Sequence, residues 1–273
     1  VESDLLSKEY ARHIRSRIDD YGTIVNAANY GLRMVQTGDK GTTHISILAP
    51  NGDAVAVTSS INLELSGPIV LVLEHTKKIR LLTSDDTSKP TLVSIHSVKF
   101  LRTAQSFGCG KMSNSTGLIL NDHMADFSLP NSDTSEEFTP FPNNYIEPGK
   151  RPLSSMVPAI FTDLSGDVRL VVGASGDDKT ITSVALVCSR YLWLGQGLKE
   201  AIDARRVHHQ LVPNVLYYEQ GLLRQQVDGL QHRGHRTRKE KGAWPGVNAV
   251  AREGHGAIVA NSDFRMNGTI QGF

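Results

Sequence analysis

The 273-residue chain is poor in cysteine and in aromatic residues, and its positive and negative charges nearly cancel. Its two cysteines, Cys109 and Cys188, do not make a disulfide framework. A net charge of +1 gives no electrostatic reason to expect nucleic acid as a partner. No apolar run reaches the roughly eighteen residues that a membrane-spanning helix needs. What remains is a chain long enough for one large domain or two modest ones.

Two local clusters suggest ligand sites but lack the pattern that such sites need. The stretch from His232 to Lys241 is basic, but it follows an amphipathic segment, which favours a solvated loop after a helix. His208 and His209 are adjacent, but no third metal ligand lies at a credible spacing. We therefore expect these histidines to be structural, and we predict no metal site.

A β-hairpin with one hydroxyl-rich face is predicted between residues 42 and 62. Pro50 presets a turn, and Gly52 suits the left-handed position that closes a three-residue loop. With that loop, Thr42 lies opposite Ser60, and strand alternation separates an apolar face from a polar one. The polar face carries Thr42, His44, Ser46, Thr58, Ser60 and Asn62. This pattern is typical of an active-site edge or, alternatively, of a half-solvated hairpin with ordinary threonines.

Elsewhere the hydrophobic periodicity predicts strands and helices that are segregated along the chain. Helical spacing covers residues 5–18, 181–194 and 197–205. Apolar runs predict strands at 117–120, 158–161 and 168–172, and a final hairpin from 247–251 and 257–260. Segregated strands and helices indicate an α+β fold.

A series of motifs places the hairpin in a family context. It comprises Gly41-Thr-Thr-His44, Thr116-Gly-Leu-Ile-Leu-Asn-Asp-His-Met-Ala-Asp-Phe-Ser128, Pro148-Gly-Lys-Arg-Pro-Leu-Ser-Ser-Met156, Val171-Val-Gly-Ala-Ser-Gly176 and Arg206-Val-His-His-Gln-Leu-Val-Pro213. In order and spacing, the series resembles the small subunit of the γ-glutamyltransferases (glutathione hydrolases), within the N-terminal-nucleophile hydrolases. The resemblance implies a four-layer α/β/β/α sandwich. It also implies that residues 1–41 are the C-terminal tail of the large subunit and residues 42–273 the small, catalytic subunit.

The resemblance makes Thr42 the expected nucleophile, with Thr43 as the alternative. A threonine hydroxyl needs an adjacent base, and cleavage of the Gly41–Thr42 bond would free an α-amine with a reference pKa of ~8. In the family this cleavage is autocatalytic and leaves two associated subunits. The implied reaction forms a γ-glutamyl-Thr42 ester from glutathione or another γ-glutamyl compound. It then transfers the acyl group to water, an amino acid or a dipeptide, and it requires no cofactor.

Four further residues take roles in the acyl site from the resemblance. Ser60 matches a hydroxyl that hydrogen-bonds the nucleophile, and Asn62 matches an amide that contacts the substrate's α-amino end. Asp126 matches the carboxylate that pairs with the substrate's α-ammonium. His123 stands where the family has Gln or Glu. A neutral imidazole there accepts a hydrogen bond, whereas a protonated one would repel the ammonium.

Two residue pairs complete the implied site. Ser154 and Ser155 match the pair that hydrogen-bonds the substrate's α-carboxylate. The family builds its oxyanion hole from the backbone N–H groups of a Gly-Gly pair, which aligns here with Gly176 and Asp177. We expect Asp177 to impair the hole, because its side chain conflicts with the φ that a glycine adopts and its carboxylate opposes the developing oxyanion.

One block, at about 64–106, is alien to the family pattern. It follows Asn62, which belongs at the catalytic centre, and it is compatible with a folded insertion or with a translated intron. The alternative functions are therefore a catalytically impaired homologue or mis-spliced fragment, or an N-terminal-nucleophile amidase that acts on another acyl group. The chain starts at Val1 rather than at a methionine, so we expect that an upstream portion was omitted.

The family also implies a location at the extracellular face of the plasma membrane, or secretion. In that setting two tripeptides, Asn114-Ser-Thr116 and Asn267-Gly-Thr269, fit the pattern for N-glycosylation. Such tripeptides arise often by chance, so the pattern gives the location little support.

Overall fold

The computed structural model describes residues 4, 6–24, 26–30, 41–62, 92–96, 108–130, 141–266 and 268–272. Within these residues the helices are α1 (Lys8–Ser16), α2 (Thr180–Leu192), α3 (Leu198–Asp203) and α4 (Arg224–His232). The strands are β1 (Thr42–Leu48), β2 (Ala54–Ser60), β3 (Leu92–His96), β4 (Ala159–Thr162), β5 (Val168–Ser175), β6 (Val207–His208), β7 (Leu216–Glu219), β8 (Thr237–Glu240), β9 (Gly246–Arg252), β10 (Ile258–Ser262) and β11 (Gly268–Gly272). None of the described helices is both long and apolar enough to cross a membrane.

The chain divides into two compact units. One contains residues 1–36, 131–141 and 205–241, and the other contains residues 37–130, 142–204 and 242–273. The expected division at Gly41–Thr42 concerns a cleavage site rather than a compact unit, so it stays a prediction.

The larger unit contains two antiparallel four-stranded sheets, and the first of these holds the predicted hairpin. Its strand order is β11-β3-β1-β2. The predicted register is confirmed, because Thr42 pairs with Ser60. The predicted turn is confirmed as well: the Ala49 N–H donates to the Asp53 carbonyl at 2.8 Å, and Gly52 has a φ of +98°.

The polar face of the hairpin is the buried one. His44 and Ser46 are fully buried, and so is Leu48 further along the same face. On the opposite face Val55 and Val57 are 44% and 46% exposed. Strand alternation therefore sorts the residues as expected, and the hydroxyl-bearing side lies inside the unit between the two sheets.

The second sheet, with the order β10-β9-β5-β4, supplies the core on both of its faces. Leu170 and Val172 of β5 pack with buried residues of α2 and α3, whereas Val171 packs with Leu48 and Val250 on the side of the first sheet. Cys188 of α2 is buried in the helical layer, and this burial raises the pKa of its thiol to about 11. The described residues thus form a helical layer and two stacked sheets, which confirms the expected α+β class.

The smaller unit contains the three-stranded sheet β6-β7-β8, in which β7 and β8 run parallel. Its core includes Glu219, whose carboxylate accepts from the Arg206 backbone N–H at 3.1 Å and from the Arg205 guanidinium at 3.3 Å. The expectation of a loop after α4 is wrong in part, because Thr237–Glu240 is strand β8. Edge pairing with β7 has overridden the polar composition of this segment.

The structure also bears on the segment 117–120 and on the block 64–106. The predicted buried strand at 117–120 is wrong: Leu118, Ile119 and Leu120 are exposed, and only an isolated bridge joins Met112 to Ile119. In the block 64–106, residues 92–96 form β3, which pairs with both β1 and β11. The rest of that block, including the apolar run 69–73, lies outside the described residues, as does Asn267.

Candidate active site

The hydroxyl of Thr42 is held at the start of β1 by the turn that follows β5. The Gly176 N–H donates to Thr42 Oγ1 at 2.7 Å, and Thr42 Oγ1 donates to the Gly176 carbonyl at 3.3 Å. Gly176 has a φ of +146°, and a Cβ there would lie 2.9 Å from Pro245 Cα. Only glycine fits this turn without strain, and the turn directs the N–H at the Thr42 hydroxyl.

Ser60 contacts the carbonyl on the other side of the Gly41–Thr42 bond. Its hydroxyl donates to the Gly41 carbonyl oxygen, while the Asn62 N–H donates to Ser60 Oγ at 2.8 Å. Ser60 and Thr42 therefore do not share the expected hydrogen bond in the intact chain, because the Ser60 proton goes to the Gly41 carbonyl and the Thr42 proton to the Gly176 carbonyl. The peptide bond predicted to break thus has its nucleophile and its carbonyl each held by a hydrogen bond.

Asn62 adopts the left-handed conformation directly after β2. Its φ is +70°, which asparagine tolerates better than most residues, and its side chain is buried. Its amide donates to the Asp122 carbonyl at 3.0 Å. Asn62 therefore joins the end of β2 to the segment that carries His123 and Asp126.

His123 and Asp126 form a hydrogen-bonded pair within one short 3₁₀ helix, His123–Asp126. His123 Nδ1 lies 2.8 Å from Asp126 Oδ2, and His123 Nε2 lies 3.0 Å from the Ser60 carbonyl oxygen. Ser154 Oγ also donates to Asp126 Oδ2, at 2.8 Å. The Asp126 backbone is fixed by Asn144, whose amide donates to the Asp126 carbonyl at 2.7 Å. The structure thus brings together four predicted site residues: Ser60, His123, Asp126 and Ser154.

The second expected oxyanion residue does not show the expected conflict. Asp177 is not among the described residues with a positive φ, so its side chain meets no left-handed strain. Its carboxylate is paired with Lys179, with the Lys179 ammonium 2.6 Å from Oδ2 and the Lys179 N–H 3.0 Å from Oδ1. The local sequence therefore supplies a cation that offsets the charge of Asp177. The role of Asp177 as an oxyanion donor stays a prediction.

His44 supports the strand that carries Thr42, although the sequence analysis predicted only its place on the polar face. Its ring nitrogens contact Thr58 Oγ1 at 2.7 Å and Ser46 Oγ at 3.0 Å. A Cβ at Gly173 would lie 2.2 Å from the His44 ring, so this glycine makes room for the imidazole. The available signal was the alternation of His44 with hydroxyl residues, which is unusual for a face that is buried.

The described residues contain no group of three or more histidine, cysteine, aspartate or glutamate side chains that could hold a metal ion. His208 Nε2 instead lies 3.2 Å from Gln210 Oε1, and His209 Nε2 lies 3.1 Å from Asn214 Oδ1. Burial lowers the pKa of His209. These contacts agree with a structural role for the two histidines.

Two stacked antiparallel sheets, with a threonine at the start of an inner strand and a donor aimed at its hydroxyl, are the arrangement of the N-terminal-nucleophile hydrolase fold. The comparisons with known proteins narrow this class. The family model described as gamma-glutamyltranspeptidase matches residues 1–71 and 95–273. The chain belongs to the γ-glutamyltranspeptidase family. The unmatched residues, 72–94, lie inside the block that the motifs had set apart.

Individual relatives agree with this assignment. Scoloptoxin SSD14 of Scolopendra dehaani is 35% identical over 273 residues, which cover 100% of this chain and 40% of the relative. Glutathione hydrolase proenzyme 1 of Schizosaccharomyces pombe is 32% identical over 232 residues, which cover 85% of this chain and 30% of the relative. The crystal structure of a mutant Helicobacter pylori γ-glutamyltranspeptidase matches with a TM-score of 0.59 and 27% identity, over 82% of this chain and 99% of that chain. The chain therefore spans less than half the length of these two full-length relatives.

Proposed function

We propose that the chain cleaves itself between Gly41 and Thr42. The observation that carries this proposal is the pair of hydrogen bonds on that peptide: the Gly176 N–H positions Thr42 Oγ1, and the Ser60 hydroxyl polarises the Gly41 carbonyl. Attack of Oγ1 on the Gly41 carbonyl carbon forms an ester and breaks the C–N bond, while the amine takes the hydroxyl proton. Water then hydrolyses the ester, which leaves a new carboxylate on Gly41 and a free amine on Thr42.

The freed amine supplies the base that the mature nucleophile needs. Its reference pKa of ~8 lies close enough to neutrality for it to take the Thr42 proton during attack on a substrate amide. The γ-glutamyl carbonyl then forms an ester with Thr42, and the leaving amine takes the proton. Water or an amino acid or dipeptide acceptor cleaves that ester. The backbone N–H groups of Gly176 and Asp177 are the proposed donors to the oxyanion, and no metal or cofactor is needed.

The proposed substrates are glutathione and other γ-glutamyl compounds, and the proposed partner is the large subunit whose tail would be residues 1–41. Family membership supports both, as does the printed name of the Schizosaccharomyces pombe relative, a glutathione hydrolase proenzyme. We place the mature protein outside the cell or at the extracellular face of the plasma membrane. Asn114, in one of the two glycosylation tripeptides, is exposed, as an acceptor in that location must be.

A second candidate function is amide hydrolysis on an acyl group other than γ-glutamyl. The pairing of Asp126 with His123 favours it, because a carboxylate that already has a partner offers less to a substrate ammonium. A catalytically impaired homologue is the remaining alternative. The geometry around Thr42 argues against it, since Thr42 and Gly41 both keep their hydrogen bonds.

Self-cleavage is tested with the full-length protein that contains this chain. The wild type should separate into two polypeptides, with Thr42 at the new N-terminus by sequencing. Thr42→Ala should remain a single polypeptide, because it lacks the attacking oxygen. Thr43→Ala, one residue along β1, is the matched control and should still be processed. An intact wild-type chain on a denaturing gel would overturn the proposal, and loss of processing in Thr43→Ala alone would move the nucleophile to Thr43.

A further inference from the structure

His123 lies against the carboxylate that the family resemblance assigns to the substrate's α-ammonium. His123 Nε2 faces the Ser60 carbonyl oxygen, which only accepts, so this nitrogen carries a proton. His123 Nδ1 faces Asp126 Oδ2, which also accepts from Ser154 Oγ, so Nδ1 and Oδ2 share one proton between them. With that proton on Nδ1, His123 is an imidazolium beside an ionised Asp126; with the proton on Oδ2, both side chains are neutral.

Asp126 is shielded from any incoming group. Its side chain is 2% exposed, whereas the side chain of His123 is 21% exposed. Asn144 fixes its backbone through the hydrogen bond to the Asp126 carbonyl. A substrate ammonium would have to displace His123 in order to reach Asp126 Oδ2.

Ser154 is committed to the same carboxylate. Its single hydroxyl proton is donated to Asp126 Oδ2. Asp126 Oδ2 thus receives two donors from the chain itself, and the pair that it forms with His123 has no net charge. The site is satisfied without a cationic ligand.

We propose that His123 is a specificity-determining residue that, as an imidazolium, takes the place of the substrate's α-ammonium, so that this protein accepts acyl groups of the glutaryl type, which have no α-amino group, as readily as γ-glutamyl groups. This inference rests on the proposed function, since it concerns which amide Thr42 attacks. The loss of γ-glutamyl selectivity is attributed to one contact, between His123 Nδ1 and Asp126 Oδ2. Replacing His123 with a neutral or an acidic residue restores an unpaired carboxylate and with it the demand for an ammonium.

The kinetic test uses two anilides that differ only in the α-amino group, γ-glutamyl-p-nitroanilide and glutaryl-p-nitroanilide, with the processed full-length protein. The measured quantity is the ratio of their kcat/KM values. The wild type should prefer neither substrate by more than about threefold, whereas His123→Gln should prefer the γ-glutamyl substrate by about ten- to a hundredfold, the usual value of a hydrogen bond to a charged group. His123→Glu should prefer it more strongly still, and mainly through a lower KM. His232→Gln, which removes an exposed histidine that contacts only its own helix at Asp228, is the control and should leave the ratio unchanged.

A second measurement needs no catalysis. Nitrogen-15 NMR of histidine-labelled protein at neutral pH, with the His123→Gln variant to identify the resonance, should show protons on both ring nitrogens of His123. A neutral His123 ring would overturn the proposal, as would a wild type that already prefers the γ-glutamyl anilide as strongly as His123→Gln does. If neither anilide is hydrolysed, the proposed function fails, and the NMR result alone then decides whether the internal ion pair exists.

Discussion

The two sides of the candidate site differ in what their hydrogen bonds are directed at. Around Thr42, the donors from Gly176 and Ser60 are aimed at the atoms of the bond that is proposed to break. Around Asp126, the side chains of His123 and Ser154 both contact the same carboxylate oxygen, Asp126 Oδ2. On the nucleophile side (Gly41, Thr42, Ser60 and Gly176), the hydrogen bonds act on the peptide that is proposed to break. On the recognition side (His123, Asp126 and Ser154), the hydrogen bonds join side chains of the chain to one another.

This difference implies that chemistry and selectivity can change separately in this fold. The nucleophile side depends on backbone geometry, namely the glycine turn at Gly176 and the register of β1 with β2. The recognition side depends on side chains carried by a short 3₁₀ helix and a loop. A single replacement, such as histidine at position 123, alters the charge offered to a substrate and leaves the sheet untouched.

The largest expected effect comes from β3, which supports the nucleophile side alone. Ser94 lies in β3 between Ser46 of β1 and Ile270 of β11. Ser94→Pro removes a ladder donor and leaves its acceptor without a partner, so it should destabilise the protein by about 1–3 kcal/mol, with loss of self-cleavage. Ser94→Ala is the matched control and should be processed normally. The measurements are thermal unfolding and a denaturing gel.

Deletion of residues 64–106 is a second test of whether β3 supports the nucleophile side. Because β3 lies between β1 and β11, the deletion should prevent folding, since these two strands lose their shared neighbour. A deletion variant that folds and cleaves itself faster than the wild type would instead identify the block as a foreign segment, such as a translated intron.

The next effect concerns the Gly41 carbonyl. Ser60→Ala removes the hydroxyl that polarises it and should slow self-cleavage on the order of a hundred- to a thousandfold, since one oxyanion donor is worth about 2.7–4 kcal/mol. Ser59→Ala changes the exposed neighbour on the opposite face of β2 and should have no effect. The rate is followed by gel densitometry during refolding. Equal rates for the two variants would show that Ser60 only packs the strand end.

The hairpin shows how much of the fold could be predicted from the sequence. Turn chemistry at Pro50 and Gly52, together with alternation, was enough to pair Thr42 with Ser60. Periodicity likewise placed α2 and the β9–β10 hairpin within two residues of their observed bounds. It could not show that the polar face of the hairpin is the buried one, because burial depends on the partner sheet, where Gly173 leaves space for His44.

The site shows where sequence reasoning stops. The motifs identified Ser60, His123, Asp126 and Ser154, but roles taken from a family assume a substrate as the partner of each side chain. They did not reveal that Asp126 is paired with His123, because the 3₁₀ helix that brings these two side chains together was not predicted, and Ser154 reaches Asp126 from a segment distant in sequence. Strand propensity failed at 117–120 for a related reason: an apolar run forms a buried strand only if a neighbouring strand is available.

The smallest effect is expected at Asp177, on the nucleophile side. Its backbone N–H is a proposed oxyanion donor, and its carboxylate is paired with the Lys179 ammonium at 2.6 Å, in a pair that is partly exposed. Because the charge is offset and φ is not positive, Asp177→Gly should raise kcat by less than about threefold, in line with the small value of such pairs. Lys179→Met should lower kcat more clearly, by about two- to fivefold, since it leaves the carboxylate unpaired beside the developing oxyanion.

Asp177→Asn separates the two causes, because it removes the charge and keeps a side chain. It should match Asp177→Gly if charge is the relevant property, and it should match the wild type if backbone freedom is. All three variants need the processed enzyme and the better of the two anilides, so that maturation does not confound turnover. A tenfold gain in kcat for Asp177→Gly would show that Lys179 does not offset the carboxylate. The carboxylate of Asp177 would then limit kcat on the nucleophile side, as His123 is proposed to limit γ-glutamyl selectivity on the recognition side.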